Sequence, residues 1–255
     1  MTDRSFSFTG RITPVESPQS NRPSQSLCAL RLPSDCMEPI ALTRRERERL
    51  RRRDEMLAAA KSVIADRGYA RATLDEIAQR AESGKGTLYN YFHGGKKEIL
   101  YAIFDELYDD LQQIIERSLS DEKVRGDDLR GTFRQCLFDV FVYFEKRQDL
   151  FMILIREAHR MMFDTPQSAS FFLERRRRLA NALSSALAVA MESGRIRTMP
   201  AEPLAQMILG NIRGCQMYAQ LADGTNCETD AAGVGSPHER ADFLTSVLFD
   251  GLRVN

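Results

Sequence analysis

The run Ser83 to Phe92, SGKGTLYNYF, sets a lysine between two glycines and follows it with a threonine and three aromatic residues. Residues of this kind suit a phosphate: glycines let backbone N–H groups approach, lysine supplies charge and threonine a hydroxyl. A nucleotide-binding P-loop needs Gly, four spacers, then Gly-Lys-Ser/Thr, so that consecutive N–H groups wrap the phosphates. Here Gly84-Lys85 is followed by Gly86, and the residue five before Gly84 is Gln79. The preceding segment ARATLDEIAQRA carries a helix start and a helical apolar pattern where a strand should lie. A P-loop is excluded, and the phosphate must belong to something else.

The elements around the run say what. Thr73 with Glu76 three residues later is a capping box, opening a short helix through Leu74, Ile77, Ala78 and Ala81. Glu82-Ser83-Gly84 reads as a turn and Lys85 to about Phe92 as a second short helix. A longer helix precedes both, beginning at an arginine run after Thr43, with Met56, Ala60, Val63 and Ile64 at helical spacing and Gly68 as terminator. This is a helix-turn-helix unit. Leu88 and Phe92, four apart, share a face that packs on Ile77, Ala78 and Ile64, which turns Lys85, Gly86, Tyr89 and Asn90 outward. Helix N-terminal N–H groups and Lys85 attract phosphate, and Gly86 permits close backbone approach. Thr87 and Tyr89 offer hydroxyls to phosphate or meet a thymine methyl, and Asn90 suits an adenine edge. The phosphates are those of a DNA backbone.

The stretch TLDEIAQRAESGKGTLYNYFHGGKKEIL closely resembles the DNA-binding domain of the tetracycline-repressor (TetR/AcrR) family of bacterial regulators, over about residues 50 to 100. The resemblance implies a homodimer of all-helical, two-domain subunits, commonly a repressor of a palindromic operator on double-stranded DNA, released by a small molecule in the C-terminal domain. The chain departs from the family pattern in having Ser83-Gly84 where Val-Ser is usual, which removes a turn-packing apolar residue and shifts the hydroxyl. One extra residue separates Phe92 from the Lys-Glu pair, making Lys96 and Lys97 rivals for one phosphate-contacting role. The candidate DNA contacts are Arg53, Thr73, Lys85, Gly86, Thr87, Tyr89, Asn90, Tyr91, Lys96 and Lys97.

The 255 residues carry no net charge, but residues 43–97 hold 14 Lys/Arg against 8 Asp/Glu, a local basic segment of the kind a phosphate surface attracts. The arginines at 44 to 53 either grip phosphates or the minor groove, or form a solvated helix extension. Five scattered cysteines without a Cys-x-x-Cys pair indicate neither a disulfide framework nor a zinc site, and reduced thiols fit a cytoplasmic protein. No run of 18 apolar residues and no signal-peptide core occur, so no membrane partner is expected. Residues 1–42, rich in Ser, Pro, Arg and Gln, read as a disordered extension, with Met37 a candidate true start.

The expected organisation is all-α: residues 1–42 as extension, 43–97 as DNA-binding domain, and 98–255 as a larger helical domain for ligand and dimerisation. Helices are expected at roughly 96–119, 129–146, 150–162, 168–193, 202–221 and 239–253, the last two separated by a glycine-rich loop at 223–236. Phe104, Tyr108, Phe141 and Met162 are candidate walls of a ligand pocket, and Arg156 or His159 its polar anchor, although the same residue types build ordinary cores. Leu204, Met207, Phe243, Leu244, Val247 and Leu248 form apolar stripes that face either a partner subunit, as the resemblance implies, or their own core. The run ERRRR at 174–178 reads as a wet helix face. No nucleophile elbow, zinc-protease motif or Glu-x-x-His pair is present, so neither an enzyme nor a cofactor is expected. The reading is a ligand-responsive DNA-binding regulator. A constitutive DNA-binding regulator and a helical interaction scaffold with a degenerate helix-turn-helix are the alternatives.

Overall fold

The computed structural model describes residues 43–225 and 235–252. The N-terminal extension with Met37, and most of the glycine-rich loop, lie outside them. Ten helices fill the described residues, with no strand among them.

Three helices make the first bundle: α1 (Arg44–Arg67), α2 (Leu74–Arg80) and α3 (Lys85–Tyr91). Local signals set their ends. Thr43 caps α1 and Thr73 caps α2, each in a capping box with the glutamate three residues on. Gly68 ends α1 with φ 75°, a left-handed conformation that costs glycine nothing. The tertiary seal is apolar: Ile64 and Ile77 are fully buried, Leu88 and Phe92 nearly so, all in one cluster. Truncating such residues costs about 2–5 kcal/mol each through lost burial and the cavity left behind.

The next helices are α4 (Gly95–Ser118), α5 (Asp121–Arg125), α6 (Leu129–Glu145), α7 (Gln148–Met162), α8 (Pro166–Glu192), α9 (Ala201–Thr225) and α10 (Pro237–Leu252). The five residues of α5 were not expected, being too short for any periodicity to register. Helix α4 belongs to both halves. Its first turns (Ile99, Leu100, Ile103, Phe104) join the cluster of α1–α3 together with Leu154, Met161 and Phe172, whereas Leu111 and Ile115 join the larger core of α6, α8, α9 and α10. Helix α6 is fastened to α10 by ion pairs of Arg134 with Asp242 and Arg130 with Asp250.

Candidate DNA-facing helix and ligand cavity

Helix α3 carries the split of faces that a recognition helix requires. Leu88 and Phe92 are each 1 % exposed. Lys85, Gly86, Tyr89 and Asn90 lie exposed on the other side, Tyr89 at 42 %. Thr87 and Tyr91 are half-buried, and Thr73, the cap of α2, is exposed. Lys85 does not stand free: its Nζ donates to Asp75 of α2 at 2.9 Å, and that hydrogen bond raises its pKa. A phosphate approaching Lys85 competes with this carboxylate. Among the basic residues of α1, Arg53 lies over the Phe92 ring at 5.4 Å and Arg49 over Tyr91 at 5.9 Å, so both run beside the C-terminal end of α3. The first turns of α1, residues 44–52, are helical and exposed throughout.

The two rival lysines separate. Lys96 donates to three main-chain carbonyls between α1 and α2, those of Tyr69 (2.9 Å), Ala70 (3.2 Å) and Ala72 (2.9 Å), and sits 4.7 Å from the Tyr69 ring centroid. An ammonium has three donors, and here all are taken. Lys96 is therefore a clamp on the α1–α2 connection and not a presented phosphate ligand, which corrects its place among the candidate DNA contacts. Lys97 is exposed.

A second feature lies inside the larger bundle. Helices α4, α6, α7, α8 and α9 enclose a cavity of about 140 Å³. Phe104, Tyr108, His159 and Met162, four of the candidate ligand-pocket residues, line it. Two expected residues do not. Phe141 is fully buried against the main core, with Arg240 over its ring, and Arg156 points outward from α7. Sequence reasoning missed two others, Arg176 and Arg213. The run at 174–178 is not uniformly wet: Arg175 and Arg176 turn inward while Glu174, Arg177 and Arg178 stay exposed. The signal was its spacing, since Arg176 stands four after Phe172 and three before Leu179, on the buried stripe of α8.

The lining is apolar except at one end. There Arg213 contacts His159 Nε2, and Arg176 donates to the Gln206 side chain at 2.8 Å. Tyr108 is held above its ordinary pKa by burial, an effect opposed by the nearby charges of Arg176, Arg213 and Arg175, so its hydroxyl stays protonated. No group of His, Cys, Asp and Glu suited to a metal occurs among the described residues, and none of their helices is long and apolar enough to cross a membrane.

The outer faces of α9 and α10 divide the expected interface residues. Met207 (50 % exposed), Phe243 (49 %) and Val247 (57 %) are on the surface, joined by Met217 and Tyr218. Leu204, Leu244 and Leu248 are buried in the protein's own core, which corrects their assignment to a partner. Adjacent helical residues are about 100° apart, so Phe243 and Leu244 necessarily part company.

Residues 56–103 match the family model described as bacterial regulatory proteins, tetR family. The HTH-type transcriptional activator FasR of Mycolicibacterium smegmatis is 40% identical over 68 residues, 27% of this chain and 31% of FasR. The chain thus spans about a third of that relative. Among solved structures, a TetR-family regulator from Mesorhizobium loti superposes with a TM-score of 0.63 at 19% identity, covering 80% of this chain and 98% of that one. FadR from Bacillus subtilis, solved in complex with stearoyl-CoA, gives 0.61 at 20% identity over 78% and 99%. At such identities the likeness is one of fold.

Proposed function

We propose, for a chain that belongs to the TetR family of bacterial regulators, that it is a ligand-responsive repressor that binds a palindromic operator in the cytoplasm as a homodimer. The observation that carries this reading is the division of α3: Leu88 and Phe92 sealed beneath, Lys85, Tyr89 and Asn90 exposed above. A short helix so seated can enter a major groove, and a twofold dimer offers two such helices at the ~34–36 Å repeat of successive grooves. The apolar surface of α9 and α10 is the proposed subunit contact, with residues 43–97 as the DNA-binding domain and 98–255 as the ligand-binding and dimerisation domain.

The proposed effector site is the cavity beneath α4. That helix anchors the α1–α2 connection through Lys96 at its start and lines the cavity through Phe104 and Tyr108, about two and three turns later. A ligand that shifts α4 therefore moves the helix-turn-helix with it. Losing about 100-fold in operator affinity takes only about 2.7 kcal/mol of coupling between the sites. The complex of FadR with stearoyl-CoA supports the idea that a fold of this kind holds a small molecule.

The test is fluorescence anisotropy of the full chain on the DNA upstream of its own gene. Tyr89→Ala and Lys85→Ala should each weaken binding at least tenfold while the melting temperature holds. Unchanged binding by both variants rejects α3 as the reading element, and operator binding that no small molecule relieves leaves a constitutive regulator.

A further inference from the structure

Arg175 and Arg176 are neighbours on α8 with different fates. Arg175 is paired with Asp105. Arg176, turned to the cavity, has only the amide oxygen of Gln206 and the Gln206 main-chain carbonyl as acceptors. Arg213 of α9 reaches the same cavity and bonds only His159. Arginine has no acceptor, so in this contact the guanidinium is the donor and His159 Nε2 supplies no charge to balance it. Among the described residues, neither Arg176 nor Arg213 has a carboxylate in salt-bridge contact. Two guanidinium groups thus face an otherwise apolar chamber without an anion. Both guanidinium groups are half-buried at the end of the cavity, so each is partly screened from water and gains from an added counter-charge, and planar guanidinium forks match oxyanions in pairs.

We infer that this cavity takes an apolar acid, its hydrocarbon body among the side chains of α4, α6 and α7 and its oxyanion head held between Arg176 and Arg213. Tyr108, a neutral hydroxyl beside both cations, donates a further hydrogen bond to the head. Because His159 is exposed, this end of the cavity reaches solvent, and the head sits at the mouth while the chain points inward. The inference rests on the reading of the cavity as an effector site and adds the charge and polarity of what enters it.

Calorimetric titration of the full chain with dodecanoate, dodecyl phosphate and 1-dodecanol, each below its micellar concentration, tests it. The acids should bind at least tenfold more tightly than the alcohol, and the tighter of the two identifies the head as carboxylate or phosphate. Arg176→Gln and Arg213→Gln should each remove most of that preference while leaving the alcohol's affinity unchanged. Arg→Lys at either position, which keeps the charge, should restore part of it. Equal affinity for acid and alcohol, no binding of any of the three, or a preference that survives both Gln variants overturns the inference. Anisotropy on operator DNA keeps the two claims apart. Acids that bind through the arginines without releasing DNA sink the repressor mechanism alone, whereas release by uncharged compounds with no acid binding sinks only the head-group assignment.

Discussion

Glu82, between α2 and α3, occupies the same position in the same turn as Gly194 after α8. In each, the residue is left-handed, φ 48° for Glu82 and 69° for Gly194. In each, two hydrogen bonds close the helix end: Ser83 N to Ala78 O (2.9 Å) with Glu82 N to Gln79 O (3.1 Å), and Arg195 N to Ala190 O with Gly194 N to Met191 O (both 3.0 Å). This is the Schellman turn, whose left-handed residue is ordinarily glycine and whose next residue is ordinarily apolar. The helix-turn-helix breaks both preferences, with Glu82 and Ser83.

The first prediction follows from that strain. A left-handed non-glycine residue costs about 1–2 kcal/mol, and glycine returns part of this as unfolded-state entropy. Glu82→Gly should therefore stabilise the protein by about 0.5–1 kcal/mol, raising the melting temperature by a few degrees. A calorimetric scan showing no rise would mean that the turn relaxes around Glu82 at no cost.

Lys96 and Lys97 should part in two different measurements. Removing the Lys96 ammonium strands three carbonyls that accept from it, and hydrogen bonds to a charged group contribute about 1.5–3 kcal/mol. Lys96→Met should lower stability by about 2 kcal/mol by chemical denaturation. Lys97→Ala should leave stability unchanged and reduce the slope of log affinity against log salt by about one for each phosphate that the Lys97 ammonium neutralises.

If Lys85 meets DNA as proposed, its ion-pair partner Asp75 and a backbone phosphate compete for the same ammonium. Both side chains are about half exposed or more, so the pair itself contributes at most about 1 kcal/mol. Asp75→Asn should free Lys85 and strengthen operator binding up to about fivefold at low salt, with little change in melting temperature. In a Lys85→Ala background the same substitution should have no such effect. A gain that persists without Lys85 would assign it to general charge repulsion instead.

What the sequence made legible was local. Thr73 with Glu76, and Leu88 with Phe92, are three- and four-residue relationships, so the second helix's cap and the third helix's faces could be read directly. The sign of φ at Glu82 is not a matter of residue type. Lys96 finds its acceptors 24 to 27 residues away, a tertiary fact that left it indistinguishable from Lys97. Phe104 and Phe141 are equally apolar, yet one lines the cavity and the other fills the core, because residue type does not say where packing stops. Arg176 was legible by spacing but hidden by its charged neighbours.

The surface of α9 and α10 yields the sharpest contrast between neighbours. Met207 and Val247 are half exposed or more, and on α9, three and seven residues after Met207, Gly210 and Gly214 leave open space where a side chain could stand. An apolar face interrupted by glycines lets a second helix pair approach closely, and a charge placed on it would be stranded on closure. Val247→Glu and Met207→Glu should each convert a dimer to monomer in sedimentation velocity and reduce operator affinity at least tenfold, since one recognition helix reads too few bases. Leu244 and Leu248, one residue further round α10, are buried in the subunit itself. Leu244→Ala should cost about 2–5 kcal/mol through the cavity it leaves. Monomers from Leu244→Ala but not from Val247→Glu would place the subunit contact elsewhere and show the exposed residues to be ordinary surface.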